Sequence, residues 1–243
     1  MRSNVVVLNR APLLPQAEAC PGCAMRSSGR FSPLGEQAYQ RLHARVAQVQ
    51  FEPGAVLFMS GERGTAVYTV RKGIVRFERV TERGDRRIVR LAGPGDLIGQ
   101  ESLLQRPYVD EAVACTAVEA CRIPRAMVDE LAAAEPEVTR ELMQRWQRAL
   151  DAAEDWVAEL ATGPGRRRML RLLHRLGAYH DGEGGIWLPR RDEIGAMLDM
   201  TVETASRFVS QLRREGVLEL RGPRGARVDA QALRRALERE DAD

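Results

Sequence analysis

The sequence of 243 residues contains few of the side chains on which metal enzymes and haem proteins depend. Its only histidines are His43, His174 and His180, and none lies in the strand pattern that begins at Phe51. A cupin-like enzyme or storage protein needs a His/Glu metal triad inside its β-domain, so this class is disfavoured. Haem ligation loses support for the same reason. We therefore do not expect an enzyme.

Long apolar runs are also missing. No stretch approaches the ~18 apolar residues that a membrane-spanning helix requires, and the short apolar segment Val5–Leu8 lacks the flanking pattern of a signal peptide. A hydrophobic content of 44% and a charged content of 29% are typical of a soluble protein. The length allows two modest domains. We expect a cytoplasmic protein with no membrane partner.

Net charge is small and unevenly placed. The formal value is +3 at neutral pH. Residues 1–163 contain 21 basic and 21 acidic side chains, whereas residues 164–243 contain 16 and 13, so the whole excess lies in the C-terminal third. A basic end on a neutral body suits a polyanionic partner such as double-stranded DNA, although three charges alone are weak support.

Cysteine is rare as well, with four residues in the chain. That number is too small for a disulfide scaffold in a protein of this length. Cys20 and Cys23 form a C-x-x-C pair, which in a reducing compartment indicates metal, cluster or redox chemistry. Cys115 and Cys121 lie far from this pair in sequence, inside the predicted β-domain.

Short apolar alternations dominate residues 30 to 125. Glycines interrupt them about every 8–12 positions, which is typical of an antiparallel barrel or sandwich built from many short strands. Most of these glycines are expected to serve turns. The apolar stretches are Phe51–Phe58, Val67–Val70, Ile74–Phe77, Ile88–Leu91 and Leu97–Ile98.

Helical periodicity replaces this alternation after Pro124. The pattern predicts a short helix from Met127 to Ala134 and a long one from Pro136 to about Thr162. Apolar positions of the long helix recur in steps of four and three, as in a coiled-coil seam, which predicts a homodimer. The alternative is that the stripe packs against the chain's own β-domain. The predicted seam consists of Leu142, Trp146, Ala149, Ala153, Trp156 and Leu160.

The long helix is predicted to end at a domain boundary. Gly163, Pro164 and Gly165 interrupt the helical pattern there. A new helix then runs from Arg166 to Gly177 with an apolar face that we expect to be buried.

Two short helices separated by a tight turn follow. The first is Asp192–Leu198, the turn is Asp199-Met200, and the second is Val202–Glu215 with Thr201 as its N-cap. This arrangement is a helix-turn-helix unit, in which the N-terminal part of the second helix reaches base edges in the major groove. A hairpin of Gly216–Arg221 and Ala226–Val228 would add a wing.

Several polar side chains of this unit have the chemistry to contact DNA. Arg207 can donate two hydrogen bonds to guanine O6 and N7, and Glu203, one turn earlier, can accept from a cytosine amino group. The alternative for this pair is an ordinary exposed i,i+4 salt bridge. Wing arginines are natural partners of phosphate. The candidate DNA-binding residues are Thr201, Glu203, Ser206, Arg207, Ser210 and Arg224.

By these features the chain resembles the CRP/FNR superfamily from about residue 20 to 237. The most specific match is Met200-Thr-Val-Glu-Thr-Ala-Ser-Arg207, which is similar to the recognition helix of the fumarate-nitrate regulator (FNR) branch. The resemblance implies that Glu203, Ser206 and Arg207 read a TTGAT half-site. Asp199 departs from the branch, which usually has glycine there, but Asp tolerates a left-handed turn.

The resemblance also implies a fold of the α+β class. An N-terminal antiparallel β-roll, similar to the jelly roll of cyclic-nucleotide-binding domains, would be joined by a long dimerisation helix to a C-terminal winged helix-turn-helix. The expected domains are a cysteine-bearing segment at 1–29, the sensor roll at 30–135, the dimerisation helix at 136–162 and the DNA-binding domain at 163–243.

Two loops of the roll are informative under this resemblance. The phosphate cassette would be Gly99-Gln-Glu101 followed by an Arg-Ser pair, but Tyr108-Val109 stands in place of that pair, so cyclic AMP is not expected. The loop Thr81-Glu-Arg-Gly84-Asp85 is similar to the FNR loop that touches RNA polymerase. Thr81, Gly84 and Asp85 are therefore candidate polymerase contacts, and transcriptional activation is expected.

FNR holds an oxygen-sensitive [4Fe–4S] cluster, and the resemblance implies that Cys20, Cys23 and Cys121 match three of its ligands. The remaining N-terminal cysteine is absent, since residues 27–29 are Ser-Ser-Gly. If Thr116–Ala120 turns a hairpin, Cys115 faces Cys121 at ~4.5–5.5 Å and supplies the missing thiolate. Loss of the cluster to oxygen or nitric oxide would then lower DNA affinity by altering the dimer.

Other assignments of the four cysteines stay open. They could form a redox dithiol switch or a structural zinc site, or Cys115 and Cys121 could be small core residues. A different class of function is a cyclic-nucleotide-binding module whose output is not DNA binding. The polar face at Glu203, Ser206 and Arg207 argues against that class.

Overall fold

The computed structural model describes residues 46–179 and 185–242. They divide into two compact units. In the first, residues 46–76 pack with Ala92–Arg145; in the second, Phe77–Leu91 packs with residues 146–179 and 185–242.

Eight short strands lie in residues 47–124. The two sheets have the strand orders β1-β8-β3-β6 and β2-β7-β4-β5, and their recorded pairings are antiparallel, which confirms the predicted all-antiparallel roll. The strands are β1 Ala47–Phe51, β2 Val56–Phe58, β3 Ala66–Lys72, β4 Val75–Val80, β5 Arg86–Ala92, β6 Leu97–Ile98, β7 Glu111–Ala114 and β8 Val118–Pro124.

One turn glycine of the roll is required by its surroundings. Gly73 has φ +87°, and a Cβ at this position would lie 2.2 Å from the carbonyl oxygen of Ala117. A larger residue at this position would therefore clash with the backbone of Ala117, and its own backbone would be strained by the positive φ. The predicted role of this glycine as a turn residue is confirmed.

Two helices follow the strands as the periodicity predicted. α1 is Arg125–Ala134 and α2 is Pro136–Trp156, and one π-helical turn, Val157–Ala161, continues the second. α1 closes the roll by burying Met127, Val128 and Leu131 against strand residues. Burying three such side chains stabilises the roll by about 1.5–3 kcal/mol each.

The second unit contains the helices that follow α2 and a small sheet. The sheet has the order β10-β11-β9, so the predicted wing hairpin gains a third strand that the sequence reasoning missed. The elements are α3 Gly165–Leu176, β9 Gly185–Trp187, α4 Arg191–Leu198, α5 Val202–Arg214, β10 Leu218–Arg221, β11 Gly225–Val228 and α6 Ala230–Ala242.

The hairpin predicted between Cys115 and Cys121 does not form. Ala114 ends β7 in one sheet, whereas Cys121 lies on β8 in the other, opposite Gln48 and Thr69. The backbone N–H of Cys115 donates to Ile74 O at 2.7 Å. The expectation that the two cysteines face each other across a hairpin is therefore wrong: the turn between β7 and β8 carries the chain from one sheet to the other.

Among the helices of residues 46–179 and 185–242, none combines the length and the apolar character that a membrane span needs.

Candidate nucleic-acid interface

The turn between α4 and α5 is built by two residues with special backbone needs. Asp199 adopts a left-handed conformation with φ 52°, which a short polar side chain tolerates. A Cβ on Gly195 would approach Met200 O to 2.6 Å, so glycine is needed for the close passage of the chain. This geometry confirms the predicted helix-turn-helix.

Thr201 begins α5 as predicted. Its hydroxyl oxygen accepts a hydrogen bond from the backbone N–H of Thr204 at 3.3 Å, which satisfies one of the free donors at the helix N-terminus. The cap fixes the first turn of the helix, where the candidate base-reading side chains lie.

One face of α5 is buried and the other is open. Ala205, Val209 and Leu212 are almost completely buried in the core of the unit. On the opposite side Glu203, Arg207 and Ser210 are exposed, while Ser206 and Phe208 are half-buried. The structure therefore brings four of the six predicted DNA-binding residues to one helix surface, beside the cap Thr201.

This surface presents a hydrogen-bond acceptor, the Glu203 carboxylate, one helical turn before a cation, the Arg207 guanidinium. A hydrogen bond from its own backbone N–H, assisted by the Thr201 hydroxyl, lowers the pKa of the Glu203 carboxyl from its usual value. In the described part of the chain no salt bridge joins Glu203 to Arg207; the Arg207 guanidinium instead lies 5.8 Å from the Phe208 ring centroid. The structure therefore does not show the i,i+4 salt bridge between Glu203 and Arg207 that was the alternative interpretation.

Arg224 has a partner inside the protein. Its guanidinium donates to the carboxylate of Glu193 at 2.8 Å and lies 5.1 Å from the Trp187 ring centroid. The same carboxylate accepts from the backbone N–H of Arg190 at 2.7 Å. Glu193 thereby completes the start of α4, where Arg190 stands in place of a usual capping residue. Arg224 joins the wing to this helix, whereas Arg221 and Arg227 are exposed.

A cationic pair that the sequence reasoning missed lies on the same unit. Burial, and then the nearby charge of Arg213, lower the pKa of the Arg191 guanidinium. Arg191 is the first residue of α4, and Arg213 is near the end of α5. The charge of Arg213 therefore acts on Arg191, and both cations add to the positive charge of the DNA-reading unit. Only the folded arrangement reveals this pair, because the two residues are far apart in sequence.

The long helix α2 exposes an apolar stripe that shares only Trp146 with the predicted seam. Leu142 packs against the core of the roll, and Leu160 is fully buried in the second unit. At Leu142 the alternative interpretation holds, because this side chain packs against the chain's own β-domain. Leu160 is buried in the second unit, which neither interpretation predicted, so neither position supports the dimer seam. Ala149, Ala153 and Trp156 are half-buried. The large apolar side chains left open are Met143 (63% exposed), Trp146 (36%), Leu150 (51%) and Val157 (60%).

Tyr108 occupies the part of the roll where the family resemblance places a phosphate cassette. The ring is buried, stacks on Phe58 with centroids 4.0 Å apart, and its hydroxyl donates to Ala66 O at 2.9 Å. A Cβ on Gly64 would lie 2.6 Å from the Tyr108 ring, so the ring fills the space beside this glycine. The site thus presents packed aromatic surface.

The predicted polymerase contacts form one tight loop between β4 and β5. Thr81 N–H donates to Asp85 O at 2.9 Å, Gly84 N–H donates to Thr81 O at 2.9 Å, and Asp85 N–H donates to the Thr81 hydroxyl at 3.2 Å. These bonds hold the exposed loop in a defined shape. Its role in binding polymerase stays a prediction.

The structure shows the surroundings of two of the four cysteines. Cys115 is buried with its Sγ 3.9 Å from an Arg76 nitrogen, and Cys121 is half-buried. Cys20 and Cys23 lie outside the described residues. Within residues 46–179 and 185–242 no three His, Cys, Asp or Glu side chains converge as metal ligands. The hairpin that was expected to bring Cys115 beside Cys121 is absent, so that step of the predicted four-thiolate site is wrong. The remainder of the site stays a prediction.

Two segments of the chain match the profiles of known protein domains. Residues 48–135 match the profile of the cyclic nucleotide-binding domain, and residues 167–236 match that of the Crp-like helix-turn-helix domain. Similar proteins include the transcriptional activator protein FnrA of Stutzerimonas stutzeri, 30% identical over 70% of this chain and 71% of that protein. The nitrogen fixation regulation protein FixK of Bradyrhizobium diazoefficiens is 26% identical over 90% of this chain and 92% of its own.

Among solved structures, FixK2 from Bradyrhizobium japonicum is similar with a TM-score of 0.70 and 26% identity, covering 79% of this chain and 96% of that one. A transcriptional regulator of the CRP/FNR family from Thermus thermophilus, TTHA1359, has a TM-score of 0.65 and 28% identity over 79% of this chain and 99% of that one.

Proposed function

Because this chain belongs to the CRP/FNR superfamily and is a DNA-binding transcription regulator, we propose that it binds TTGAT-type half-sites as a homodimer. α5 enters the major groove in this proposal. Glu203 accepts from a cytosine, Arg207 donates to a guanine, and Ser206 contacts a base or a phosphate.

The observation that carries this proposal is the open polar face at the start of α5. Glu203, Arg207 and Ser210 are exposed there, while the opposite face is anchored in the core. The exposed carboxylate of Glu203 is an acceptor at neutral pH, and its lowered pKa further favours the ionised form. The resemblance of residues 200–207 to the FNR recognition helix supplies the sequence of the half-site.

Base readout and phosphate contact can be separated with two arginines of the same helix. We expect Arg207→Ala to reduce the preference for a TTGAT operator over a scrambled one by about 5- to 150-fold. Arg214→Ala is the matched control, because Arg214 is an exposed arginine at the last position of α5. It should weaken binding to both duplexes equally, through loss of one charge.

Fluorescence anisotropy on labelled duplexes at several salt concentrations measures both quantities. If Arg207→Ala keeps full discrimination between the two operators, or if Arg214→Ala abolishes it, the proposed recognition face is wrong.

The exposed stripe of α2 supports the homodimer. Met143, Trp146 and Leu150 follow each other in steps of three and four, and Val157 comes seven residues after Leu150. This is the heptad spacing of a two-stranded seam. Such a stripe of large apolar side chains on one helix face is best covered by the same face of a second copy, since a twofold axis pairs it with itself. The dimer would space two α5 helices one DNA turn apart.

The signal proposed for this regulator is redox state, sensed by an iron–sulfur cluster. Its remaining support is the resemblance at Cys20, Cys23 and Cys121, together with the partial exposure of Cys121. When bound, such a cluster would supply a group that oxygen or nitric oxide destroys. Cys115 is no longer a supported ligand, because it does not face Cys121 and follows a strand of the other sheet.

A pair of variants tests the cluster. Protein isolated without oxygen is assayed for iron and sulfide, alongside Cys121→Ser and the control Cys115→Ser. We expect Cys121→Ser to lose the iron and Cys115→Ser to keep it. Iron-free wild-type protein with unchanged DNA binding in air would overturn the cluster, leaving a thiol switch or a zinc site as the alternatives.

Two further parts of the proposal concern ligands and partners. We propose that the roll does not take cyclic AMP, since Tyr108 packs on Phe58 and Gly64 where the cassette would offer a cation. We also propose that Thr81, Gly84 and Asp85 contact RNA polymerase during activation, because their loop is exposed and held in one shape. The cytoplasm is the expected compartment for such a regulator.

A further inference from the structure

The β4–β5 hairpin belongs to the same compact unit as the DNA-reading helices. Phe77–Leu91 packs there with residues 146–179 and 185–242. β5 is the edge strand of its sheet, and an uncovered edge is a liability that proteins usually charge or cover.

Two adjacent arginines of β5 reach the two ends of α4. Arg86 Nη2 lies 3.2 Å from Asp192 Oδ2 in the first turn of the helix. Arg87 binds the carboxylate of Asp199, the residue that ends the helix in a left-handed conformation. Asp192 and Asp199 are seven positions apart, or about 10 Å along the helix. Neighbouring residues of a strand point to opposite sides, so their long side chains can span this distance.

The hairpin also holds one of these arginines from its own side. Arg86 Nη1 lies 3.4 Å from Glu78 Oε1, whose side chain is largely buried. A guanidinium with five donors can serve both carboxylates at once. Since Glu78 limits its rotamers, less side-chain entropy remains to be lost when Arg86 binds Asp192.

Both aspartates lie where negative charge is unfavourable for a protein that binds DNA. Asp192 is next to the cation Arg191, and Asp199 is two residues before the N-cap of α5. An uncovered carboxylate there would repel the phosphate backbone. An arginine from the hairpin compensates that charge at Asp199, and at Asp192 it adds to Arg190, whose Nε lies 3.5 Å from Asp192 Oδ1.

We propose that Arg86 and Arg87 form a clamp that fixes the β4–β5 hairpin to both ends of α4 and neutralises Asp192 and Asp199 for DNA binding. The clamp also holds the Thr81–Asp85 loop beside the helix-turn-helix, because this loop directly precedes Arg86. It rests on the proposed function only for its effect on DNA affinity; the hairpin contact itself can be tested without DNA.

A double-mutant cycle on Arg87 and Asp199 tests the contact. The variants are Arg87→Gln, Asp199→Asn and the double variant; Asn is chosen because it tolerates the left-handed conformation of position 199. Hydrogen exchange of the hairpin amides is followed by mass spectrometry in the DNA-free protein. We expect each single variant to speed exchange by about two- to fivefold. The double variant should be no faster than either single one, since both remove the same pair.

Arg83→Gln is the matched control, because it removes the same charge from an exposed position of the same hairpin. It should leave exchange unchanged. If the two single effects multiply in the double variant, or if Arg87→Gln behaves like Arg83→Gln, the clamp does not exist.

The effect on DNA is measured separately, by anisotropy at low salt. Arg87→Gln should lower operator affinity more than Arg83→Gln does, because only the first leaves a carboxylate uncovered. Equal losses, with the exchange result intact, would overturn the neutralising role while the contact stands. Absence of operator binding in the wild-type protein would instead overturn the proposed function.

Discussion

The fully buried carboxylate of Glu193 on α4 binds the guanidinium of Arg224 on the wing at 2.8 Å. The two residues belong to different elements of the DNA-reading unit and lie 31 positions apart in sequence. Because the carboxylate has no access to water, its charge must be compensated inside the protein. The wing is therefore attached to the helix-turn-helix by an ion pair as well as by its strands.

Removing this arginine should destabilise the second unit. Arg224→Ala takes one cation from the buried carboxylate and leaves Arg190 beside it. We expect the free energy of unfolding to fall by about 1–3 kcal/mol. The loss stays below that of breaking a fully buried ion pair, because Arg224 is partly exposed. Arg221→Ala, on the same wing, should cost less than about 0.5 kcal/mol. Urea unfolding followed by circular dichroism measures both.

The same variants show whether Arg224 also contacts phosphate. If it does, Arg224→Ala lowers the slope of log affinity against log salt by about one. A stable Arg224→Ala protein with a reduced slope would mean that the contact with Glu193 matters less than DNA binding.

The dimer seam can be located by comparing neighbouring leucines of α2. Leu150→Glu places a charge in the middle of the exposed stripe and should convert micromolar dimer to monomer, as measured by analytical ultracentrifugation. Leu142→Ala should destabilise the roll by about 2–4 kcal/mol but leave the dimer intact, because this side chain packs against strand residues. Gln144→Glu, an exposed position of the same helix, is the control for added charge. Dissociation by Leu142→Ala alone would restore the seam predicted from the sequence.

Tyr108 should resist ionisation at alkaline pH. Burial, together with the nearby Tyr68 and negative charges, raises the pKa of its hydroxyl well above the ordinary value. The folded state therefore retains a proton that the unfolded state loses near pH 10, so this part of the stability is present below that pH and is lost as the pH rises further. Tyrosinate absorbance near 295 nm should show one group that titrates only on unfolding.

Tyr108→Phe is the matched variant. It should remove that late-titrating group and make the alkaline unfolding transition less steep. An unchanged titration curve in Tyr108→Phe would contradict the assignment.

A buried ion pair on α2 should be costly to break but cheap to replace. Arg145 Nε donates to Glu141 Oε1 at 2.8 Å, and Arg145 Nη1 donates to Gly95 O at 3.3 Å. We expect Glu141→Ala to destabilise the first unit by about 3 kcal/mol, since it takes this carboxylate away from a buried guanidinium. The double variant Glu141→Met/Arg145→Met should lie within about 1.5 kcal/mol of wild type. Thermal unfolding by calorimetry compares the two.

Local sequence patterns were sufficient for the helix-turn-helix. The turn at Asp199 and the cap at Thr201 depend on contacts within a few residues, and the structure confirms both of them. The same is true of the roll as a set of short antiparallel strands and of the start of α2 at Pro136.

Tertiary packing decided the rest. Leu142 and Met143 are neighbours on one helix, only about 100° apart around its axis, so periodicity alone could not tell which of them faces the roll. Cys115 and Cys121 have hairpin spacing, but the chain between them changes sheets. The charges of Arg86 and Arg87 are plain in the sequence; their partners on α4 lie more than a hundred residues away, and only the folded backbone brings such distant charges within reach of each other.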